Sequence, residues 1–496
     1  MKSKPTAREK AGSARRLWVT ATPGRGSGTI ASRRKPAVRI AAYGAVLAAA
    51  VAIRPAGSPR PLFAGPSSAT PIARSGVAVG NPGAARAATN GAEHWIGTWA
   101  AAAQRPIPEG LETFRNQTLR LIVHTSAAGS RLRIKVSNTY GDRPLVVGAA
   151  HVARRISGAD VDPSSDRALT FSRQVSVRVP PHALAVSDPV PFDLPALSDI
   201  AVSLFLPEES PATTCHVLAK QTSYVADGDV TAKPTLPGAK TIRTWPFLTG
   251  VDVAAAARAV AIVAFGSSLT DGDGSTRDAN ERWPDVLAKR LHEADSGREI
   301  GVLNEGIIGN RLLADSESPR QSGGPFGEVL EKLGPALGDA GVKRFDRDVL
   351  EQSGVGYVVL GLGINDLLFP GSFTKASERV TAEQIIAGTR DLVARARKAG
   401  VRAIGTTLPP TENATFTNPT IYFYTPEKEV ERRKFNEWVL HGGEFDGVID
   451  FDTAVRDPDR PTRLLPAFDS GDHLHPNDAG YVASANAIPL VLFRSR

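Results

Sequence analysis

Five short and almost uninterrupted apolar runs recur from Ala259 onward, and they limit the available folds more than any other feature: AVAIVAF (259–265), IGVLNEG (300–306), GVGYVVLGLG (354–363), GVRAIGTTLP (400–409) and FDGVIDFD (445–452). An apolar run without polar alternation marks a strand covered on both faces, as in a parallel sheet lying under helices. The segments between the runs carry helical spacing, Asp285–Glu293 and Ala382–Ala399 among them. The pattern predicts a doubly wound α/β domain over 259–496 with five parallel strands. In such a sheet, reactive groups gather just beyond the carboxyl ends of the strands.

With 496 residues the chain exceeds one ordinary core, and a second texture precedes the first. Over 93–246 apolar residues alternate with polar ones at Leu119, Leu121 and Val123, at Leu132, Ile134 and Val136, at Val175, Val177 and Val179, and at Ile200, Val202 and Leu204. Turn-forming stretches such as Tyr140-Gly141-Asp142-Arg143-Pro144 separate these runs, which predicts a β-sandwich domain. Its role is read as structural, with ligand or glycan binding through exposed rings such as Trp95 and Trp99 as the other reading. The single cysteine, Cys215, excludes an intrachain disulfide and a cysteine-based zinc site, and is expected to be a small buried side chain.

The net charge of +8 does not lie on this folded part. Residues 1–92 hold 15 Lys or Arg against one acidic residue, Glu9, so they carry +14 and the remainder carries −6. A basic footprint for nucleic acid is therefore not expected. Within 1–54 the uncharged stretch Ile40–Ile53 follows Arg33, Arg34, Lys35 and Arg39. Its fourteen residues fall short of the roughly 20 that span a bilayer, so the segment is read as a cleaved export signal without a stable membrane span. Residues 55–92, rich in Pro, Gly, Ser and Ala, are read as a flexible linker, with Ala85-Arg86-Ala87 a candidate cleavage site. The expected location is secreted or periplasmic.

Four blocks near the predicted strand ends carry chemistry. The first run ends in Gly266-Ser267-Ser268-Leu269, two serines on a glycine-framed turn before a helix. The second ends in Asn304-Glu305-Gly306-Ile307-Ile308-Gly309-Asn310, whose glycines expose backbone N–H groups of the kind an oxyanion hole uses. The third ends in Gly363-Ile364-Asn365-Asp366, which sets a neutral amide on the same edge. After the fifth comes Asp472-His473-Leu474-His475, in which Asp472 stands three residues before His475. That spacing lets a carboxylate reach Nδ1–H of His475, fixing its tautomer and freeing Nε2 to take a serine proton.

These blocks, in this order, resemble those of the SGNH, or GDSL-like, esterase and lipase family. Phrases such as Glu281-Arg282-Trp283-Pro284-Asp285 and Arg344-Phe345-Asp346-Arg347-Asp348 are similar to a secreted bacterial subgroup with an N-terminal β domain. The resemblance implies a flavodoxin-like three-layer α/β/α fold for 259–496. It also implies roles: Ser268 as nucleophile, His475 as general base and acid, Asp472 as its orienter, and an oxyanion hole from the Ser268 and Gly309 N–H groups and the Asn365 side chain. No metal or organic cofactor is implied. One position departs from the family, which has Asp before the nucleophile where this chain has Ser267. Ser268 is chosen because it stands two residues after Gly266, with Ser267 as the alternative. The pair His473 and His475 lacks further metal ligands, and His473 is taken as a neighbour of the site.

The expected function is a secreted serine hydrolase of short acyl esters acting through an acyl-enzyme. A carbohydrate O-acetyl esterase, a lipase of the same family, and a non-catalytic binding protein on the same fold are the alternatives. The substrate is thus a small-molecule, glycan or lipid ester. The stretches Leu312–Ala340 and Thr411–Glu429, the latter with Phe416, Tyr422, Phe423 and Tyr424, are candidate rims of the acyl pocket.

Overall fold

The structure, a computed structural model, describes residues 93–294, 299–316, 333–416 and 420–493. The leader over 1–54, with Ile40–Ile53, and the linker over 55–92 lie outside the described residues.

The β-rich region is built on β1 (His94–Ala100), β2 (Gln117–Thr125), β3 (Gly129–Ser137), β4 (Ala149–Ser157), β5 (Ser198–Leu206) and β6 (Leu248–Ala255). One antiparallel sheet runs β1-β6-β3 and a second places β5 between β2 and β4, with shorter strands extending each. The inward residues of both sheets, Leu119, Leu121, Val123, Leu132, Ile134, Val136, Ile200, Val202 and Leu204 among them, close on one common core. They are the residues whose period-two spacing marks one face of a strand.

Three local readings change. The region extends beyond 246, because β6 carries its own inward residues Leu248, Val251 and Val253 and pairs with both β1 and β3. Val175 is exposed and precedes its strand, which covers only Val177–Val179. Trp99 is not an exposed ring: it is buried edge-on against Trp245, with centroids 4.9 Å apart, while Trp95 is half-buried with the Arg133 guanidinium over its face at 4.5 Å. Aromatic burial of this size stabilises a core more than an exposed ring serves a ligand.

Beyond β6 come β7 (Val260–Gly266), β8 (Ile300–Gly306), β9 (Val355–Gly361), β10 (Arg402–Thr406) and β11 (Gly447–Ile449). They form one sheet in the order β8-β7-β9-β10-β11, and every pairing is parallel. Successive residues of β7 serve opposite faces. Ala261, Val263 and Phe265 pack with Ile385, Leu392 and Val393 of helix Ala382–Lys398 and with Phe435 and Val439 of helix Pro426–His441. Val260, Ile262 and Ala264 pack with Trp283, Leu287 and Leu291 of helix Trp283–Glu293 and with Tyr481 and Ala485 of helix Asp478–Asn486. Burial on both faces is why these runs lack polar alternation.

Register then sets the site. Gly266 of β7 stands opposite Gly306 of β8 and Gly361 of β9, so three carboxyl ends finish at one level. The β-rich region abuts this sheet beside β8, where Ala101 bridges Asn304, and before the start of β9, where Gly97 N–H donates to the Ser353 carbonyl at 2.9 Å.

Candidate active site

Helix α1 (Ser268–Asp271) starts directly after β7, with Ser267 at its N-cap. It lies close over β8: a Cβ on Gly306 would stand 2.3 Å from the Asp271 nitrogen, so only glycine permits the approach. Ser268 is 4% exposed, and its Oγ is 2.8 Å from Nε2 of His475. Ser267 is fully buried, and its Oγ has no hydrogen-bond partner among the described residues. Of the two adjacent serines, the fold turns Ser268 toward the histidine and Ser267 into the protein.

His475 reaches Ser268 across 207 residues of sequence from the turn between β11 and α2 (Asp478–Asn486). The Asn477 side chain caps α2 by accepting from Gly480 N–H, which ends the turn immediately after the histidine. Nδ1 of His475 is 2.6 Å from Oδ2 of Asp472. The other oxygen of Asp472 accepts from the N–H groups of Leu474 at 2.9 Å and His475 at 2.8 Å. The carboxylate therefore fixes both the histidine's backbone and its ring. His473 points elsewhere: its side chain is 49% exposed and pairs with Asp469.

Electrostatics reinforce the pair. Burial works against a charged His475, but the Asp472 carboxylate, and after it Asp273, outweigh this and raise the imidazole to about 9. Burial would likewise raise Asp472, yet the charge and hydrogen bonds of His475 hold its carboxyl down to about 2. An imidazole placed between a hydroxyl and a fixed carboxylate can accept the serine proton and stabilise the resulting positive charge.

The other two blocks meet at the same rim. Gly309 has φ +69°, and a Cβ there would lie 2.6 Å from Leu337, so the turn requires glycine. Its loop is tied to the serine turn by Ile307 N–H to the Gly266 carbonyl at 3.1 Å and by Ile308 N–H to the Asp271 carboxylate at 2.9 Å. Asn365 is buried, and its Nδ2 donates to the Asn310 carbonyl at 2.9 Å. One amide hydrogen is used to orient the group, and the second is left for a ligand.

Residues 262–488 match the model of the GDSL-like lipase/acylhydrolase family. The chain carries a GDSL-like lipase/acylhydrolase domain. It is a carboxylic ester hydrolase, and the non-catalytic alternative is set aside. Solved structures similar to it include the aryl esterase of M. smegmatis (20% identity, 46% of this chain and 96% of that chain, TM-score 0.33). A carbohydrate acetylesterase from Sinorhizobium meliloti (15% identity, 46% and 95%, TM-score 0.33) and a GDSL-like lipase from Bacteroides thetaiotaomicron (16% identity, 48% and 92%, TM-score 0.29) are also similar. No curated protein matches the chain.

Within this GDSL-like domain, a residue without an assigned role in the sequence proves central to the site's frame. Arg344 is buried against the ring of Phe265, its guanidinium carbon 4.1 Å from the centroid. It donates to the Gly266 carbonyl at 2.9 Å, the Glu305 carbonyl at 2.9 Å, Oδ1 of Asn310 at 3.0 Å and the Asp348 carboxylate at 2.9 Å. One planar cation thus joins the ends of β7 and β8 to the loop of Gly309. The only signal in the sequence was charge density in Arg344-Phe345-Asp346-Arg347-Asp348, which does not say where the charges point.

A small hollow beside Gly309 is lined by Arg311, Ala314, Ser316, Leu337, Phe369, Phe373 and Thr374. The candidate rim Leu312–Ala340 contributes Ala314, Ser316 and Leu337, and its residues 317–332 lie outside the described residues. The second candidate rim stands behind this wall, where Phe423 is buried on Phe373 at 4.9 Å and Phe416 meets it at 5.4 Å. Cys215 is buried away from solvent, and burial pushes its thiol up to about 12.

Proposed function

We propose that the chain is an exported serine esterase of short acyl esters, with Ser268 as nucleophile. The observation that carries this reading is the unbroken hydrogen-bonded sequence from Ser268 Oγ through His475 to Asp472. As Ser268 Oγ attacks the ester carbonyl carbon, its proton passes to Nε2 of His475. The negative oxygen that develops is met by the N–H groups of Ser268 and Gly309 and by the free hydrogen of Asn365. His475 then protonates the departing alkoxide, leaving an acyl group on Ser268. Water, deprotonated by the same nitrogen, releases the acid and restores the serine.

The short-acyl reading is supported by the hollow beside Gly309, which Phe369 and Phe373 line. A sugar acetyl ester is the second reading, favoured by Tyr422, which is 71% exposed on the stretch whose Phe423 backs Phe373. The domain plan rests on the same footing: a leader over 1–54, a linker over 55–92, a β-sandwich from 93 and a hydrolase unit over 259–496. Two facing antiparallel sheets support the sandwich, and parallel strands covered on both faces support a flavodoxin-like three-layer unit. Export is supported by the basic and then apolar leader. Among the described residues no helix is long and apolar enough to cross a membrane.

Hydrolysis of p-nitrophenyl acetate, butyrate, octanoate and palmitate by the purified protein, beside Ser268→Ala and Ser267→Ala, tests the proposal. Turnover should peak at the short esters and vanish only in Ser268→Ala. Activity lost only in Ser267→Ala, or a preference for palmitate, would overturn it. Acetate release from an acetylated polysaccharide outpacing p-nitrophenyl acetate would select the sugar reading.

A further inference from the structure

Asp271, the last residue of α1, is held from outside the hydrolase unit. His216, in the β-rich region, places Nε2 2.9 Å from Oδ1 of Asp271, and both side chains are almost fully buried. The imidazole has little freedom to move. Its Nδ1 lies 3.0 Å from the Ala102 carbonyl, and its ring packs on Trp245, centroid to centroid 5.7 Å, which is itself locked against Trp99.

The second oxygen of Asp271 accepts from Ile308 N–H, one residue before Gly309. A single carboxylate therefore joins the end of the serine helix to the loop of the oxyanion glycine, and the orientation of that carboxylate is set by His216. The helix transmits the constraint because it is one turn: the N–H groups of Thr270 and Asp271 both donate to the Ser267 carbonyl at 2.9 Å. Ser267 stands where the family has an acid, and its Oγ bonds to nothing among the described residues, so that side chain does not hold the turn.

The loop after α1 is fastened to the same strip of the β-rich region. Lys220 Nζ donates to the Ser275 carbonyl at 2.8 Å, and Asp278 N–H donates to the Lys220 carbonyl at 2.9 Å. The Asp278 carboxylate takes Gln221 Nε2 at 2.8 Å and Thr222 N–H at 2.5 Å. These contacts converge on the segment that follows the nucleophile, whereas a contact serving only to join two units can sit anywhere. Ala128 N–H to the Glu299 carboxylate, at 2.7 Å before the start of β8, is such a contact.

We propose that His216 is a positioning residue of the esterase site, through which the β-rich region sets the placement of Ser268 against the Gly309 loop by holding Asp271. This rests on the reading of Ser268 as nucleophile. It gives the β-rich region a part in catalysis, because one of the two groups that hold the Asp271 carboxylate lies outside the hydrolase unit.

Two near-isosteres separate positioning from general packing. In His216→Asn the amide stands near Nδ1, keeping the Ala102 contact and abandoning Asp271. In His216→Gln it reaches the place of Nε2 and keeps Asp271. On p-nitrophenyl acetate, His216→Asn should lose about 10²-fold in kcat, the scale of a small misplacement of reacting groups, with KM nearly unchanged. His216→Gln should recover most of that loss, and Glu299→Ala should behave as the wild type. Labelling of Ser268 by an active-serine phosphonate should slow in parallel with kcat. If His216→Asn does not fold, as judged by thermal melting, Asp271→Ala takes its place against His216→Gln.

Equal activity of the Asn and Gln variants, or wild-type kcat in Asp271→Ala, would overturn the inference. A rise in KM at constant kcat would do the same. Ser268→Ala is run alongside. If it still hydrolyses ester, the reading of the site fails and His216 falls with it. If Ser268→Ala is inactive while His216→Asn turns over normally, the site reading stands and only the role of His216 is lost.

Discussion

Replacing Asp472 by Asn tests the hydrogen bonds that fix the backbone and ring of His475. Oδ1 of Asp472 accepts two backbone N–H groups, from Leu474 at 2.9 Å and His475 at 2.8 Å, while Oδ2 faces Nδ1 of His475 at 2.6 Å. An asparagine keeps both backbone bonds only by placing its carbonyl at Oδ1, and its NH₂ then faces Nδ1. Rotating the amide would leave two part-buried donors unmade, at about 1–3 kcal/mol each. The ring must therefore present a bare Nδ1 and carry its proton on Nε2, where it cannot accept the proton of Ser268. The charge is lost as well. His475 is raised from 6.5 to about 9, worth about 3 kcal/mol in favour of the imidazolium that forms during attack, or about 10²-fold. With the tautomer inverted, the loss in kcat should approach about 10⁴-fold, the scale of that error in a serine triad. The assay is kcat/KM on p-nitrophenyl acetate from pH 5 to pH 10. In the wild type His475 must be neutral to act as base, so activity rises with pH through a value above that of ordinary histidine. In Asp472→Asn the residual activity should have its acid limb at lower pH. A variant within tenfold of wild type, or an acid limb that stays in place, would refute the reasoning.

Three further outcomes follow from the same geometry. Asn365→Ala removes a donor already oriented by Asn310 and should cost about 10²–10³-fold in kcat with little change in KM; a rise in KM alone would mean that the amide binds ground-state substrate. Arg344→Met removes four buried hydrogen bonds while Arg347 still pairs with Asp348, and should lower stability by about 3 kcal/mol in urea unfolding; a loss under about 1 kcal/mol would show that the frame does not depend on it. The Asp472–His475 pair sets a pH window for stability. Asp472, depressed from 3.8 to about 2, stabilises above its unfolded value and loses this as pH falls through about 2. His475, raised from 6.5 to about 9, stabilises fully below its unfolded value and loses this as pH rises through about 9. The melting-temperature gap between wild type and Asp472→Asn should be widest between about pH 4 and 6.5, and a gap constant from pH 3 to 10 would contradict the pairing.

Local pattern was enough for the elements that carry the site. Each of the five apolar runs became a parallel strand, and the helices expected over Asp285–Glu293 and Ala382–Ala399 occur as Trp283–Glu293 and Ala382–Lys398. The Asp472 and His475 spacing placed carboxylate and ring together because a three-residue turn leaves few alternatives. Val175 went astray because period-two spacing persists in a segment that no neighbouring strand pairs. β6 was passed over because Gly250 and the charged Asp252 interrupt its apolar pattern, and Asp252 is buried only because Arg133 and Lys135 meet it there.

The sequence by itself determined that a parallel sheet covered on both faces follows the β-rich region, and that four polar blocks stand at its strand ends. Both follow from interactions within a few residues and from which faces of a strand are apolar. The spacing after Gly266 already favoured Ser268 over Ser267, and the tertiary structure supplies the physical reason: α1 leaves β7 over Gly306 at an angle that turns Ser268 toward His475. Only the tertiary structure brought Arg344 beneath two of the blocks and His216 to Asp271 from the other sheet system. Each of these bonds joins residues remote in sequence, and their partners are set by how two layers pack, which leaves no periodic mark on either segment.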